Sequence, residues 1–164
     1  MTTILIVDDH DIARSGIRSM LDNEPGLKVI GEAASGEEAL AVMRKVVPQV
    51  VLLDVQMPGI GGIETTRKIL HQYPATKVLI VSVCEDRLSP TLLLQLGASG
   101  YISKGTNKAE LLEAITSIMA GKRYLSPKIA LGIALQHIEV GSASPIDLLS
   151  EREMQIALLI TEGR

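Results

Sequence analysis

Two adjacent carboxylates, Asp8 and Asp9, close a run of branched aliphatics in ILIVDDHD, and a third, Asp54, closes the equally apolar VVLLD. Ser82 ends VLIVS and Lys104 ends GYISK. Three acids, a hydroxyl and a cation suit phosphoryl transfer, where catalysis is largely positioning and charge neutralisation. Carboxylates gathered closely disfavour each other's ionised form, and a divalent cation relieves this. Oxygen ligands in an incomplete protein cage suit Mg²⁺, which keeps waters and shares its shell with a phosphate. Lys104 is then a point charge for a further anionic group. An Asp carboxylate can itself be the nucleophile, giving an acyl phosphate. Asp54 is the candidate, because it stands alone at the end of the most buried strand and VQMPGIGG after it makes a tight Pro-Gly turn. The pair at 8 and 9 would hold the metal. Each residue also has a plain reading. An Asp caps a helix, and Asp11 before IARSGIRSML suffices for that. Lys104 alone reads as a solvated lysine, Ser82 as a turn residue and Tyr101 as a half-buried ring.

What decides is whether the chain brings these residues together. ILIV reads as a strand of a parallel sheet, buried on both faces. DIARSGIRSMLDN has helical spacing and stops at EPG. LKVIGEA predicts a strand, SGEEALAVMRKV a helix opened by Ser35 or Gly36, and PQVVLLDV a second fully apolar strand. GGIETTRKILHQY, LSPTLLLQLG and NKAELLEAITSIMAG predict helices, the last capped by Asn107, with strands KVLIVSV and SGYIS between them. Five strands alternating with five helices predict an α/β fold, a doubly wound five-stranded parallel sheet. All carboxyl ends then share one edge, where the departing loops splay and ligands bind. Asp8, Asp9, Asp54, Ser82 and Lys104 meet there.

Beyond this unit, residues 121–138, with PKIALGIALQHI opened by Pro127, predict a further helix, and EVGSASPID a linker. LSEREMQIALLITEGR predicts a helix with a capping box at Ser150 and Glu153 and a stop at Gly163. A helix of this size is marginal alone and must bury its apolar stripe. The expected organisation is a first domain over 1–122, helix plus linker over 123–147, and the start of an incomplete second domain over 148–164.

Composition narrows the function further. The 164 residues are 46% hydrophobic and 21% charged with net charge −3, and they include no Trp, no Phe and three Tyr. Aromatic base-stacking platforms are therefore unavailable, and the mild acidity opposes a dedicated nucleic-acid surface in these residues. A single cysteine, Cys84, excludes an intramolecular disulfide and reads as a small core residue. His10, His71 and His137 have no zinc-ligand spacing. No apolar run reaches a membrane span, and the early charges do not suit a signal peptide. A cytoplasmic location is expected.

The strings VDDH, LLDVQMPGIGG, VLIVS and GASGYISKG, over residues 3 to about 122, resemble the receiver domain of two-component response regulators. SEREMQI and its surroundings resemble the opening of the LuxR-type helix-turn-helix of the NarL/FixJ subfamily, and with MPGIGG and GYISKG are most like the GacA/UvrY type. This resemblance implies a flavodoxin-like receiver with strand order 2-1-3-4-5. It implies that Asp54 is the phospho-acceptor and Lys104 the phosphate-pairing lysine. Ser82 would be the switch hydroxyl and Tyr101 the switch aromatic. Asp8, Asp9, Asp54 and the Gln56 backbone carbonyl would be the Mg²⁺ ligands. A sensor histidine kinase would donate the phosphoryl group, and phosphorylation would promote a homodimer. The whole protein would bind DNA to control transcription, but residues 1–164 would not, since the recognition helix of such a domain is its second. Three residues depart from the pattern. Gly105 follows Lys104 where many receivers have Pro, so a cis bond there would cost about 3 kcal/mol. Ser82 stands for the commoner Thr, and Val83 stands where a smaller residue is frequent, a bulk that would narrow access to Asp54.

Competing functions on this architecture lack their motifs. A dinucleotide enzyme needs G-x-G-x-x-G after the first strand, and a P-loop needs G-x-x-x-x-G-K-[ST]; neither string occurs there. A phosphatase working through an aspartyl phosphate remains the alternative enzyme, but Gln56 stands where a second acid is expected. A stand-alone interaction domain is the third reading. The expectation is a regulator, not an enzyme.

Overall fold

The computed structural model describes residues 1–57, 59–82, 90–127, 129–131 and 134–135. Strands and helices alternate: β1 (Thr2–Val7), α1 (Asp11–Asp22), β2 (Leu27–Ala33), α2 (Gly36–Met43), β3 (Val50–Leu53), α3 (Gly61–Gln72), β4 (Lys77–Ser82), α4 (Pro90–Leu96), β5 (Gly100–Ser103), α5 (Lys108–Met119) and β6 (Tyr124–Leu125). The sheet runs β2-β1-β3-β4-β5-β6, and every neighbouring pair is parallel.

Alternation along the strands divides the core into two layers. Leu5, Val7, Val51, Leu53, Val78 and Ile80 pack with Ala39, Met43, Ile69 and Leu93 on the face covered by α2, α3 and α4. Ile4, Ile6, Val50, Leu52, Leu79 and Val81 pack with Ile17, Leu21, Leu111 and Ile115 on the face of α1 and α5. All four residues of β3 are fully buried, which is why that strand reads as an unbroken apolar run instead of an alternating one. Ser35 accepts the Glu38 N–H at 3.1 Å and Asn107 accepts the Glu110 N–H at 2.9 Å, so both caps sit where their side chains imply.

Two expectations are corrected. The sheet has six strands, not five: Gly100 pairs with Tyr124 and Tyr101 with Leu125. A two-residue strand is too short to show any period, and its only signal is non-local pairing with β5. Residues 124–125 within the segment assigned to a helix are thus strand, and helical backbone begins at 127, where Ser126 C=O accepts the Ala130 N–H at 2.9 Å. Asp11 does not cap α1. The N-cap is His10, with no side-chain cap bond, and the Asp11 carboxylate pairs instead with Arg14. Val83, Cys84, His137, the 139–147 linker and the 148–164 helix lie outside the described residues.

Candidate functional site

Backbone bonds carry the strand register past the strand ends and so place the site. Asp54 N–H donates to Val7 C=O at 2.9 Å and Asp8 N–H to Ala33 C=O at 3.0 Å, which sets the two acids side by side on β1 and β3. Two strands further on, Lys104 at the end of β5 donates its N–H to Ser82 C=O of β4 at 2.8 Å. From there the Lys104 side chain reaches back across the edge. Its Nζ lies 3.0 Å from Asp8 Oδ2 and 3.1 Å from Asp54 Oδ2. Asp8 Oδ1 accepts the His10 N–H at 2.9 Å, and Asp54 Oδ1 accepts the Gln56 N–H at 3.2 Å.

The segment after Asp54 is held from below. Gly62 N–H donates to Val55 C=O at 3.0 Å, and a Cβ at Gly62 would stand 2.5 Å from Val55 Cα and 2.8 Å from Asp54 O. Only glycine lets α3 begin this close to the end of β3. Glu37 of α2 accepts the Ile60 N–H at 3.3 Å and braces the same loop.

Burial and neighbours pull the two acids apart electrostatically. Asp8 and Asp54 are each 2% exposed. For Asp8, burial opposes ionisation, but the His10 N–H, the Lys104 ammonium and the His10 ring outweigh it and hold its pKa below the ordinary carboxylate value. For Asp54, burial together with the Asp8 charge outweighs Lys104 and the Gln56 N–H, and the pKa is raised. Burial alone would depress Lys104, yet the two carboxylates raise it and keep it an ammonium.

Asp8, Asp9, Asp54 and Lys104 therefore converge as their strand-end positions imply. Ser82 is the last residue of β4, fully buried and in register with Ser103. Tyr101 is 2% exposed and faces inward among the residues packed against α2, α3 and α4. Gln56 contributes its backbone N–H, which donates to Asp54 Oδ1. The bond after Lys104 is trans, since no described peptide is cis. Two participants were missed. His10, treated only as a stray histidine, places Nδ1 3.1 Å from Asp8 Oδ1 and 3.0 Å from Asp9 Oδ1; its position directly after the acidic pair was the available signal. Arg14 donates to Asp8 C=O at 2.6 Å while pairing with Glu32 and Asp11, and 16% of its side chain is exposed. Its helical spacing from Asp11 was legible, its reach to Asp8 was not.

The donor set fits a cation. One ligand atom each from Asp8, Asp9, His10 and Asp54 lies within 4.8 Å of all the others. Asp9 Oδ1 is buried and accepts no hydrogen bond, with the His10 ring nitrogen 3.0 Å away; a positive charge at this point would offset the cost of burying it.

The family model for the response regulator receiver domain matches residues 4–116. This chain belongs to that family. Receiver-domain proteins similar to it include the response regulator GacA of Pseudomonas viridiflava, 53% identical over 161 residues that make up 98% of this chain and 75% of the relative. The response regulator UvrY of Escherichia coli (strain K12) is 44% identical over 165 residues, covering 100% of this chain and 76% of the relative. A LuxR-family two-component response regulator from Aurantimonas sp. SI85-9A1 superposes with a TM-score of 0.78 at 39% identity, covering 84% of this chain and 99% of that one. The isolated receiver domain of RcsB from Salmonella enterica serovar Typhimurium, at 23% identity and a TM-score of 0.72, shares the fold over 79% of this chain and 96% of its own. The receiver reading thus holds over residues 4–116, and the GacA/UvrY likeness over nearly the whole chain. No described helix is long and apolar enough to cross a membrane.

Proposed function

We propose that this receiver is a phosphorylation switch in which Asp54 takes a phosphoryl group from a sensor histidine kinase in the presence of Mg²⁺. The observation that carries the reading is Asp54 itself: a buried carboxylate with raised pKa, 3.1 Å from the Lys104 ammonium and next to Asp8. Asp54 attacks phosphorus, a P–O bond to its carboxylate forms, and the bond to the donor's leaving group breaks. Asp8, Asp9, Asp54 and the Gln56 carbonyl would hold the metal, which when bound supplies charge neutralisation for the phosphoryl oxygens. Lys104 pairs with a phosphoryl oxygen and is freed from its carboxylate partners as it does so. Ser82, next along the same edge, supplies the hydroxyl that follows the new charge, and Tyr101 is the ring behind it. Phosphorylation adds charge and acceptor oxygens that favour this rearrangement.

In the whole protein this switch controls transcription through a C-terminal helix-turn-helix and a homodimer formed on phosphorylation, in the cytoplasm. The chain acts as a regulator and not as a turnover enzyme. Incubation with a small acyl phosphate and Mg²⁺ tests the core of this. Mass spectrometry should find one added phosphoryl group on wild type and none on Asp54→Asn. Sustained release of inorganic phosphate from an organic phosphate substrate, with no stable adduct, would favour the aspartyl-phosphate phosphatase instead.

A further inference from the structure

The imidazole of His10 stands inside the acid cluster, not beside it. We propose that His10 is a metal ligand of this receiver and gives the site a preference for borderline transition ions such as Zn²⁺ and Cu²⁺ over Mg²⁺. This rests on the metal-dependent reading above and extends it to the kind of cation the site selects.

Three observations support the assignment. His10 Nδ1 lies 3.1 Å from Asp8 Oδ1, 3.0 Å from Asp9 Oδ1 and 4.0 Å from Asp54 Oδ2. Ligand atoms set at right angles about an ion with bonds of about 2.1 Å are about 3.0 Å apart, so the two shorter spacings match edges of one coordination shell. Secondly, one ring nitrogen has one in-plane site. It can serve Asp8 or Asp9 by hydrogen bonding, not both, and Asp9 Oδ1 is the oxygen left buried and without a hydrogen bond. A cation shared by the nitrogen and both carboxylates satisfies every atom. Thirdly, His10 is anchored by its own backbone, whose N–H donates to Asp8 Oδ1 at 2.9 Å, while 63% of its side chain is exposed, which leaves the ring free to adjust to an ion. Lys104 Nζ, 3.5 Å from Nδ1, is the positive group that occupies this neighbourhood otherwise.

Chemistry then gives the selectivity. Carboxylate, carbonyl and water suit Mg²⁺, whereas imidazole suits Zn²⁺ and Cu²⁺, and affinity at mixed sites rises toward Cu²⁺ along the first transition row. Three carboxylates alone bind Mg²⁺ as well as transition ions, with a smaller margin between them. A nitrogen among the ligands widens that margin.

Calorimetric titration with Zn²⁺ and with Mg²⁺ should be run on wild type, His10→Ala, His10→Gln and His71→Ala, the last being an exposed histidine elsewhere. Losing a ligand should weaken Zn²⁺ by tenfold or more, at least the scale seen for loss of an outer-shell partner, with Mg²⁺ affinity changed by less than about threefold. Thermal melts of each variant check that the fold is intact, and His10→Gln keeps most of the side chain's volume. Pulsed paramagnetic resonance of bound Cu²⁺ adds a readout independent of activity. Modulation from the remote imidazole nitrogen should be present in wild type and His71→Ala and absent in both His10 variants. Unchanged Zn²⁺ affinity and unchanged nitrogen modulation in the His10 variants would overturn the proposal while leaving the Mg²⁺ switch intact. Wild type that binds neither Mg²⁺ nor Zn²⁺ would overturn both.

Discussion

Asp8 at the end of β1 and Asp54 at the end of β3 leave adjacent parallel strands, are buried to the same 2% exposure, and touch the same ammonium at 3.0 and 3.1 Å. Their pKa values nevertheless move in opposite directions, Asp8 down and Asp54 up. Burial is the largest influence on both, so depth does not separate them. Local donors do. The chain leaving β1 turns so that the His10 N–H and ring both face Asp8, whereas the chain leaving β3 offers Asp54 one N–H, from Gln56, at 3.2 Å. Asp8 is furnished to stay charged, and Asp54 carries its charge at a cost. A group in the second situation gains most from a cation or from esterification to a phosphoryl group, which is the division of labour a metal ligand and an acceptor require.

Removing the shared cation tests the arrangement most severely. Lys104→Ala leaves two neighbouring buried carboxylates without their ammonium and should cost about 2–3 kcal/mol at neutral pH, below the full penalty for breaking a buried pair because Lys104 keeps some contact with water. The sign with pH follows from the acids. A lowered folded-state pKa, as at Asp8, contributes stability that is present above the ordinary carboxylate value and lost as pH falls through the lowered one. A raised one, as at Asp54, contributes stability below the ordinary value that is lost as pH rises through the raised one. The wild-type advantage over Lys104→Ala should therefore shrink as both carboxylates protonate, in urea unfolding followed from neutral to acid pH. An advantage that stayed constant with pH would mean that Lys104 stabilises by packing its stem and not by pairing.

Isosteric removal of each charge compares the two ends directly. With divalent ions chelated, Asp54→Asn should gain about 1 kcal/mol, because it abolishes a charge that burial and Asp8 oppose. Asp8→Asn should lose about 1 kcal/mol, because its bonds from Lys104 and His10 stop being charge-assisted. Midpoints of chemical unfolding at neutral pH report both. Shifts of the same sign would show that the two carboxylates are equivalent and that the contrast drawn from their donors is wrong.

Much of this was legible in the chain. Unbroken apolar runs such as VVLL announce strands buried on both faces, and their parallel arrangement brings Asp8, Asp9, Asp54 and Lys104 to one edge without any coordinates. Caps at Asn107 and at Ser35, the latter one of two openings the sequence offered with Gly36, are local chemistry. What escaped depends on geometry that no period records. Tyr124–Leu125 forms a strand solely because β5 offers it a free edge. Asp11 looked like a cap, but the turn after β1 is made by Asp8 accepting the His10 N–H, which starts α1 at Asp11 itself and turns that carboxylate toward Arg14. The same turn brings the His10 ring into the cluster, so one misread cap and one overlooked ligand share a cause.

Arg14 offers the finest adjustment of the comparison, because it acts on the β1 end alone. Its guanidinium donates to Asp8 C=O at 2.6 Å and spans Glu32 and Asp11, so it fixes the backbone of Asp8 without touching the Asp54 carboxylate. A lysine there keeps the charge but cannot serve three acceptors from one planar fork. Arg14→Lys should lower stability by about 0.5 kcal/mol and weaken divalent-cation binding by about twofold to threefold, while Asp54 still takes one phosphoryl group. Calorimetry on the variant beside mass spectrometry of its acyl-phosphate adduct separates the two ends. If phosphorylation failed while cation affinity held, the clamp would be acting on the acceptor strand through the β1–β3 register, and the independence of the two strand ends would be lost.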